Sequence, residues 1–294
     1  MAVRPRDGPN GAHGGEPGRY GAEGGDSGSP RYAPQPGYPE PPRASDGDAE
    51  RELAQDRMRD VDLIAEGVRD AEPKEMPGRL CGVAVELLPV AGASVALHNE
   101  GMPVRLSASS EQAARVAEIQ ATLGDGPCLS AARICAPVLA CDLTAGRDVR
   151  RWPVFAQQAT AVGVRAMYSL PLGNESVCVG TFDLYRDTPG ELTPRELRTA
   201  QLVASVMTVA LMALPRGDEN GGRETEPWLS GLAQDQDQVY QAVGMIMAQL
   251  GVDADEALAR LRAHAFAESR TALEMARDVV GHRTSFDRDD GDGD

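Results

Sequence analysis

The sequence of 294 residues is poor in aromatic side chains, in lysine and in histidine. Aromatic residues make up only 4% of it, so any core must be built from Leu, Val, Ala and Met. Lys74 is the only lysine among 29 basic side chains, a bias typical of a GC-rich genome. The net charge of -16 argues against a general nucleic-acid binder, because phosphate backbones attract summed positive charge.

Long apolar runs are also missing. The longest, Leu202–Leu214, has about thirteen residues, whereas a membrane-spanning helix needs roughly twenty. The N-terminus carries no apolar signal core. Five cysteines, an odd number without an export signal, indicate reduced thiols. We therefore expect a cytoplasmic protein with no membrane partner.

No catalytic constellation can be assembled from the sequence. The four histidines stand at positions 13, 98, 264 and 282, and they match no Ser/His/Asp order, HExxH helix, phosphate loop or dinucleotide fingerprint. Cys128, Cys135 and Cys141 are spaced too widely for a structural zinc site. Asp142 and Asp183 are a possible carboxylate pair, although nothing in the sequence places them together. We expect no enzyme activity, no cofactor and no metal.

Composition divides the chain into six segments. We predict a disordered Gly/Pro-rich tail over 1–50, an N-terminal helix and connector over 51–77, and an α+β domain over 78–214. A polar linker over 215–228, an all-α module over 229–286 and an acidic tail over 287–294 complete the chain.

Within the second and third segments the hydrophobic period alternates between helix and strand. Helices are predicted over 52–68, 79–90, 110–122, 151–162 and 193–214, and strands over 93–98, 102–107, 137–140, 165–172 and 177–186. Tight turns are predicted at 99–101 and 173–175. This order predicts an antiparallel sheet flanked by helices.

Three short helical patterns follow one another in the C-terminal module. Val239, Val243, Ile246 and Leu250 recur at steps of three and four and share one helix face, and Gly251 ends that helix. The second and third helices begin at Asp253 and Thr271, each followed three residues later by a glutamate, the spacing of a reciprocal cap. A three-helix bundle is predicted.

Six motifs in the α+β domain carry a family resemblance. They are Leu123-Gly124-Asp125-Gly126-Pro127-Cys128, Asp142-Leu143, Arg151-Trp152-Pro153-x-Phe155, Gly163-Val164-Arg165, Pro171-Leu172 and Gly180-x-x-x-Leu184-Tyr185. Together they resemble the GAF domain found beside ANTAR domains. The resemblance implies a module that senses a small molecule and dimerises, and it does not name the ligand.

The ligand-sensing candidates in these motifs are Cys128, Asp125, Trp152 and Asp142. Two glycines and a proline before Cys128 force an irregular backbone of the kind that forms ligand loops. Cys128 is a candidate redox or ligand-sensing thiol, since a thiolate reacts when it is exposed near positive charge. Structural packing is the alternative role for this cysteine.

The C-terminal module carries three further motifs. They are Gln241-Ala242-x-Gly244-Met245, Glu256-Ala257-x-x-x-Leu261-Arg262-x-x-Ala265 and Leu273-x-x-x-Ala276-x-x-Val279-Val280. In order and spacing they resemble the ANTAR domain, which implies an RNA-binding output module that acts in transcription antitermination. Val243 departs from the family, whose first helix usually has lysine between the Ala and the Gly.

The first candidate for RNA contact is Arg262, because it matches the family's Leu-Arg position. The other candidates are Gln241, Ala242, Gly244, Tyr240, Arg270 and Arg283, with Tyr240 as a stacking partner for an unpaired base. Between 228 and 286, however, eight carboxylates oppose five arginines. An ordinary solvated helix face accounts for these arginines as well as RNA contact does.

The working hypothesis is a regulator in which a GAF sensor controls an ANTAR module that binds a structured RNA hairpin in a nascent transcript. We expect a homodimer formed through the 193–214 helix, with Val203 and Met207 at its contact. Three alternatives stay open: an interaction protein whose ANTAR-like module has lost RNA binding, a DNA-binding regulator, and a redox protein that uses Cys128.

Overall fold

The computed structural model of the chain describes residues 44–99, 102–174, 177–213 and 227–286. Outside these residues lie positions 1–43 of the predicted tail (1–50), positions 214–226 with most of the predicted linker (215–228), the acidic tail (287–294) and the loop positions 100–101 and 175–176. Residues 44–50, which the prediction places in the disordered tail, are helical instead. The described residues from 48 onward belong to one compact unit.

Helices and strands follow one another in an order close to the predicted one. They are α1 (Ala44–Gly67), α2 (Met76–Leu87), β1 (Gly92–Asn99), β2 (Met102–Ala108), α3 (Glu111–Leu123), α4 (Pro127–Ile134), β3 (Val138–Ala140), α5 (Gly146–Arg151), α6 (Pro153–Ala161), β4 (Ala166–Gly173), β5 (Cys178–Arg186), α7 (Pro194–Ala213), α8 (Pro227–Leu250), α9 (Ala254–Ala267) and α10 (Ala272–Val280). No helix in the described ranges is both long enough and apolar enough to cross a bilayer.

The five strands form one antiparallel sheet in the order β2-β1-β5-β4-β3. One face is apolar and packs against α2 and α7, with Val95, Leu170, Phe182 and Leu184 at its centre. The other face is covered by α3 and α4, and α6 packs against α3 around Trp152. The predicted α+β architecture is confirmed. We call residues 76–213 the sheet domain.

Helix starts follow the local signals. Ser110 Oγ accepts a hydrogen bond from the Ala113 N–H at 3.1 Å and caps α3. Thr193 and Glu196 make a reciprocal cap at the start of α7. Pro77 occupies the first turn of α2, where its missing N–H costs nothing.

Two short helices, α4 and α5, were not predicted. Helix α4 begins directly at Pro127, inside the segment that we expected to be an irregular loop. Its eight residues are too few to display a helical period, so only the position of the proline indicates a helix start. The two glycines behave as expected, with positive φ at Gly124 (66°) and Gly126 (140°).

Helices α8 to α10 form the C-terminal bundle, residues 227–286, as predicted. Its core consists of small and branched side chains, among them Val239, Ile246, Leu261 and Val279. Thr271 and Glu274 complete a reciprocal cap on α10. At α9 only half of the predicted cap forms: Asp253 accepts from the Glu256 N–H, whereas the Glu256 carboxylate pairs with Arg260 at 2.7 Å.

The expected dimer contact through Val203 and Met207 is wrong. Both side chains are fully buried in the core between α7, α2 and the sheet, so they are not available to a second copy. The apolar side chains that α7 presents to solvent are Val209 and Met212. A helix that is apolar around much of its circumference does not reveal in its sequence which side the sheet covers.

The two methionines of α7 provide a matched test of this burial. Met207 is 0% exposed and Met212 is 46% exposed. We expect Met207→Ala to lower the free energy of unfolding by about 2–5 kcal/mol, because it leaves a cavity in a packed core. Met212→Ala should change it by less than about 0.5 kcal/mol. Equal effects in denaturant titrations of the two variants would contradict the assignment of faces.

Candidate functional site: a cavity at the interface of the sheet domain and the bundle

The C-terminal bundle docks on one side of the sheet domain. Helices α9 and α10 pack against α3, and α8 packs against β2. Met102 from β2 is buried in the bundle's own core. At the start of α10 the Ala272 N–H donates a buried hydrogen bond of 3.1 Å to Thr122 Oγ1. This contact, formed by Met102, Thr122 and Gly124 with Arg262 and Ala272, is called the domain interface below.

Arg262, the first candidate for RNA contact, lies in the domain interface. Its guanidinium group packs over Gly124: a Cβ atom at Gly124 would lie 2.6 Å from Arg262 Nη1. The side chain is half-buried, and burial lowers the pKa of the guanidinium. Gly124 also has the left-handed backbone that ends α3, with φ of 66°. One glycine therefore ends the helix and leaves room for the arginine.

Beside this contact lies a cavity of about 110 Å³ that both parts of the protein line. The sheet domain contributes Ala96, Met102, Ala117, Cys128 and Asp183. The bundle contributes Asp235 and Val239 from α8 and Ala272 and Leu273 from α10. Any molecule held there would touch both parts at once.

A row of polar side chains runs across the sheet beneath the cavity. The register of the strands places Ser94, Asp183 and Ser169 side by side on β1, β5 and β4. All three are buried, and so is Gln120 of α3. The Gln120 Oε1 accepts a hydrogen bond of 2.9 Å from the backbone N–H of Cys128. This arrangement fixes the start of α4 over the polar row.

Asp183 is the most perturbed acid of this row. Burial raises the pKa of its carboxyl from 3.8 to about 7, and the nearby Ser169 and Gln120 side chains offset only part of that rise. Among the described residues, the buried atoms Asp183 Oδ1, Ser169 Oγ and Gln120 Nε2 make no well-aligned hydrogen bond. Two poorly satisfied donors beside a poorly satisfied carboxyl oxygen mark a place for a polar ligand or water.

Cys128 lines the cavity as a neutral thiol. Burial raises its pKa well above the ordinary value, and the nearby Asp183 raises it further. A buried thiol beside a carboxyl does not readily form the thiolate that redox chemistry needs, so the structure favours the packing role of Cys128 over the redox role. Its place in the wall of the cavity keeps Cys128 among the ligand-sensing candidates.

The other three ligand-sensing candidates lie outside the cavity wall. Asp125 Oδ1 accepts from the N–H of Gly126 and fixes the turn before α4. Asp142 accepts from both the N–H and the hydroxyl of Thr144, which lowers the pKa of its carboxyl. Trp152 is a core residue whose Nε1–H donates to Ser130 Oγ at 3.3 Å. Their interactions are those of residues that shape the fold around the site.

The candidates on α8 differ in exposure. Gln241 and Gly244 are exposed, and no atom lies within 4 Å of a Cβ placed at Gly244. Tyr240 is half-buried, and its hydroxyl accepts from Gln236 at 3.1 Å. Ala242 is fully buried in the core of the bundle, so direct contact of Ala242 with RNA is excluded in this conformation.

The remaining arginines of the bundle are held by carboxylates. Arg260 pairs with Glu256, and Arg277 pairs with Asp235 at 2.7 Å. Arg270 and Arg283 converge on Asp278, with 2.6 Å between Arg270 Nη1 and Asp278 Oδ2. These pairs are largely exposed to solvent, so each stabilises the fold only weakly and can be exchanged for another anion.

Sequence reasoning named Asp183 only as a possible partner of Asp142, and it missed Gln120. The structure does not pair the two aspartates: Asp142 bonds to Thr144, and Asp183 lies beside Ser169 and Gln120. No local signal marked Asp183 as buried, because alternation in a strand places it on the face opposite Phe182 and Leu184, and in an antiparallel sheet that face is ordinarily the solvent face. Nothing in the sequence indicated that α3 lies over it.

The raised pKa of Asp183 predicts a specific pH dependence of stability. Between about pH 4 and pH 7 the unfolded chain has lost this proton and the folded chain keeps it, so the free energy of unfolding falls as the pH rises. The expected total is about 4 kcal/mol over this window, with no further loss above it.

Asp183→Asn has no carboxyl to titrate at this position, so its free energy of unfolding should lack this fall. The free energy of unfolding of the variant, minus that of the native chain, should therefore increase from pH 4 to pH 8. Asp187→Asn, an exposed aspartate at the end of the same strand, is the matched control. Parallel pH profiles for the native chain and Asp183→Asn, measured by denaturant unfolding, would show that Asp183 is not a buried acid.

Two family models match the chain in succession. The GAF domain model matches residues 70–212 and the ANTAR domain model matches residues 229–280, and both are regulatory domain families. No curated protein matches.

Solved structures resemble the sheet domain at low sequence identity. The GAF domain of a phosphoenolpyruvate-protein phosphotransferase from Coxiella burnetii is 12% identical and has a TM-score of 0.43, covering 54% of this chain and 94% of that one. Free methionine-R-sulfoxide reductase from Neisseria meningitidis is 13% identical with a TM-score of 0.41, covering 55% and 91%. The nlh2 GAF domain of A. aeolicus in an inactive state is 12% identical with a TM-score of 0.39, covering 54% and 98%.

The two matches agree with the division into a sheet domain and a C-terminal bundle and with the motifs of each. The chain therefore belongs to the proteins that combine a GAF domain, here residues 70–212, with an ANTAR domain, here residues 229–280.

Proposed function

We propose that this protein is a cytoplasmic regulator in which the GAF domain senses a small molecule and controls binding of a structured RNA hairpin by the ANTAR domain. Binding to a hairpin in a nascent transcript would prevent formation of an overlapping terminator, which is antitermination by competition. The observation that carries this proposal is the position of Arg262, the residue at the ANTAR Leu-Arg position, which packs against Gly124 of the GAF domain.

Access to Arg262 depends on how the two domains dock. In the docked arrangement its guanidinium group faces Gly124 and is half-buried, so an RNA phosphate or base cannot approach it freely. Separation of α9 from α3 would expose it without unfolding either domain, because every buried residue of the bundle's core except Met102 belongs to the bundle itself. Docked and undocked arrangements would then be the two states that a sensor can bias.

The acidic balance of the ANTAR domain fits recognition of a particular RNA shape better than general attraction to RNA. Four of its arginines are paired with carboxylates of the same domain. A phosphate must displace these carboxylates, which weakens binding to arbitrary RNA. Unpaired bases of a loop can still stack on Tyr240 and bond to Gln241 on α8.

We also propose that the protein acts as a homodimer through α1 and α7. Of the eleven large apolar side chains that are exposed in the described residues, six lie on these two helices: Leu53, Met58, Val61, Leu63, Val209 and Met212. The two helices are joined by a hydrogen bond of 2.5 Å from Thr199 to Asp60. Two copies would present two ANTAR domains, which raises affinity through effective concentration.

Selection from a pool of structured RNAs at moderate salt tests the RNA function. We expect the native protein to recover a family of hairpins, and Arg262→Ala to bind them about tenfold or more weakly because a cationic contact is lost. Gly124→Ala should bind about tenfold more tightly than the native protein, since its methyl group displaces the guanidinium from the interface and raises the exposed population.

Gly146→Ala is the matched control for Gly124→Ala. Gly146 also has a left-handed backbone, with φ of 75°, but no atom lies within 4 Å of a Cβ placed there. Both substitutions therefore impose similar backbone strain, and only one moves Arg262. Recovery of no RNA by a folded protein would favour the interaction-module alternative, and preference for duplex DNA would favour the DNA-binding alternative.

Introducing negative charge on the proposed dimer surface tests whether the protein dimerises there. Met58→Asp combined with Val209→Asp should give a monomer in sedimentation or light scattering, because two carboxylates would be buried against apolar side chains. Ile134→Asp, an equally exposed apolar position on α4, should leave the mass unchanged. An unaltered mass in the double variant would remove this surface from consideration.

A further inference from the structure

We propose that the cavity at the domain interface is a binding site for a small organic cation, a primary aliphatic ammonium that lies against Asp183 and contacts the GAF and ANTAR domains together. This inference deepens the proposed function, because it names the class of the sensed molecule and says how binding reaches the ANTAR domain. The size, the charge and the shared walls of the cavity support this assignment.

The size of the cavity limits the ligand to a few heavy atoms. Its volume is about 110 Å³. An apolar cavity of about 150 Å³ holds one benzene molecule, which has six heavy atoms. A ligand of about four or five heavy atoms therefore fits. Larger ligands would have to extend through the open side or separate the domains.

The charge of the cavity selects a cation. Two carboxylates at its edge already have basic partners: Glu118 pairs with Arg105 at 3.1 Å and Asp235 pairs with Arg277 at 2.7 Å. Asp183 has no basic partner among the described side chains. Only the uncharged Ser169 and Gln120 side chains lie beside its carboxyl, and its Oδ1 accepts no well-aligned hydrogen bond from them. An ammonium group would supply the missing positive charge and a better-aligned donor.

The walls above Asp183 suit a short alkyl chain. Ala96, Ala117 and Met102 line the GAF side, and Val239 and Leu273 line the ANTAR side. Burial of apolar surface on these walls would contribute to affinity, while the ammonium group orients the chain. An alkyl chain without the charge would leave Asp183 unsatisfied, which makes the site selective.

Because both domains form the walls, binding of the cation is linked to docking. A ligand that contacts both walls binds the docked arrangement more tightly than the undocked one. It therefore stabilises the arrangement in which Arg262 lies against Gly124. We infer that the cation lowers the affinity of the protein for RNA, and by reciprocity RNA lowers the affinity for the cation.

The test is calorimetric titration of the full chain with three probes of equal length: n-butylammonium chloride, 1-butanol and sodium butyrate. The expected result at pH 8 is binding of butylammonium at least about tenfold tighter than the other two. In Asp183→Asn the affinity for butylammonium relative to the other two probes should fall by about tenfold or more, and in Asp187→Asn it should be unchanged. Ala121→Leu, which fills the cavity from α3, should weaken all binding.

The pH dependence gives an independent readout. The charged or titratable groups that line the cavity with Asp183 are Cys128 on α4, Glu118 on α3, Arg105 on β2 and Asp235 on α8. Cys81 on α2 also interacts electrostatically with Asp183, and His98 on β1 lies two residues beyond the lining residue Ala96. Burial raises the pKa of both thiols and lowers the pKa of His98 to about 4, so these stay neutral between pH 6 and pH 8. Asp183 is largely protonated at pH 6 and largely ionised at pH 8. Butylammonium should therefore bind about tenfold more weakly at pH 6 than at pH 8.

Several results would overturn the proposal. Equal binding of 1-butanol and butylammonium would show an apolar cavity without charge selection. Unchanged affinity in Asp183→Asn, or no heat from butylammonium up to about 20 mM, would remove the site, since a ligand of this size needs at least millimolar affinity to act as an effector.

These titrations contain no RNA, so their outcome is independent of the antitermination proposal. In a separate arm, the affinity of a selected hairpin is measured with and without butylammonium. A decrease supports the linkage, and an increase or no change contradicts it while leaving the binding site intact. A protein that binds the cation but no RNA would refute the proposed function and keep the site.

Discussion

The arrangement of this protein depends on the packing of helix α3 between the sheet and the C-terminal bundle. Gln120 of this helix lies over the polar row of the sheet, where it holds the start of α4. Two residues further on, Thr122 accepts the hydrogen bond from α10, and Gly124 receives Arg262. A shift of α3 relative to the sheet would change all three contacts. The cavity and the ANTAR domain are thus connected through one helix.

Electrostatics gives the second constraint. The protein carries a net charge of -16, and the arginines of its ANTAR domain are engaged either by carboxylates or by the domain interface. Non-specific attraction to nucleic acid is therefore suppressed, and the proposed RNA binding would have to rest on particular contacts. In the GAF domain, by contrast, a carboxylate has no basic partner. Asp183 is buried beside the cavity, and no cation among the described residues pairs with it.

Local patterns predicted much of the fold because they act over a few residues. The cap at Thr271 and the strands β4 and β5 depend on neighbours in sequence, and the structure has them close to the predicted positions. Failures occurred where a longer-range contact decides. Helix α4 is too short to show a helical period. Met207 faces the sheet and not a second copy. The Glu256 carboxylate pairs with Arg260 and does not complete the predicted cap.

The sequence by itself determined the two domains and their order, because each has motifs and hydrophobic periods that are complete within its own segment. It also identified Arg262 as the residue to examine. Only the tertiary structure decided where Arg262 lies, which side of α7 is buried, and that Asp183, Gln120 and Ser169 meet beneath a cavity. These facts depend on strand register and on docking between segments far apart in the chain, and both are set by the sum of many packing contacts that no local pattern encodes.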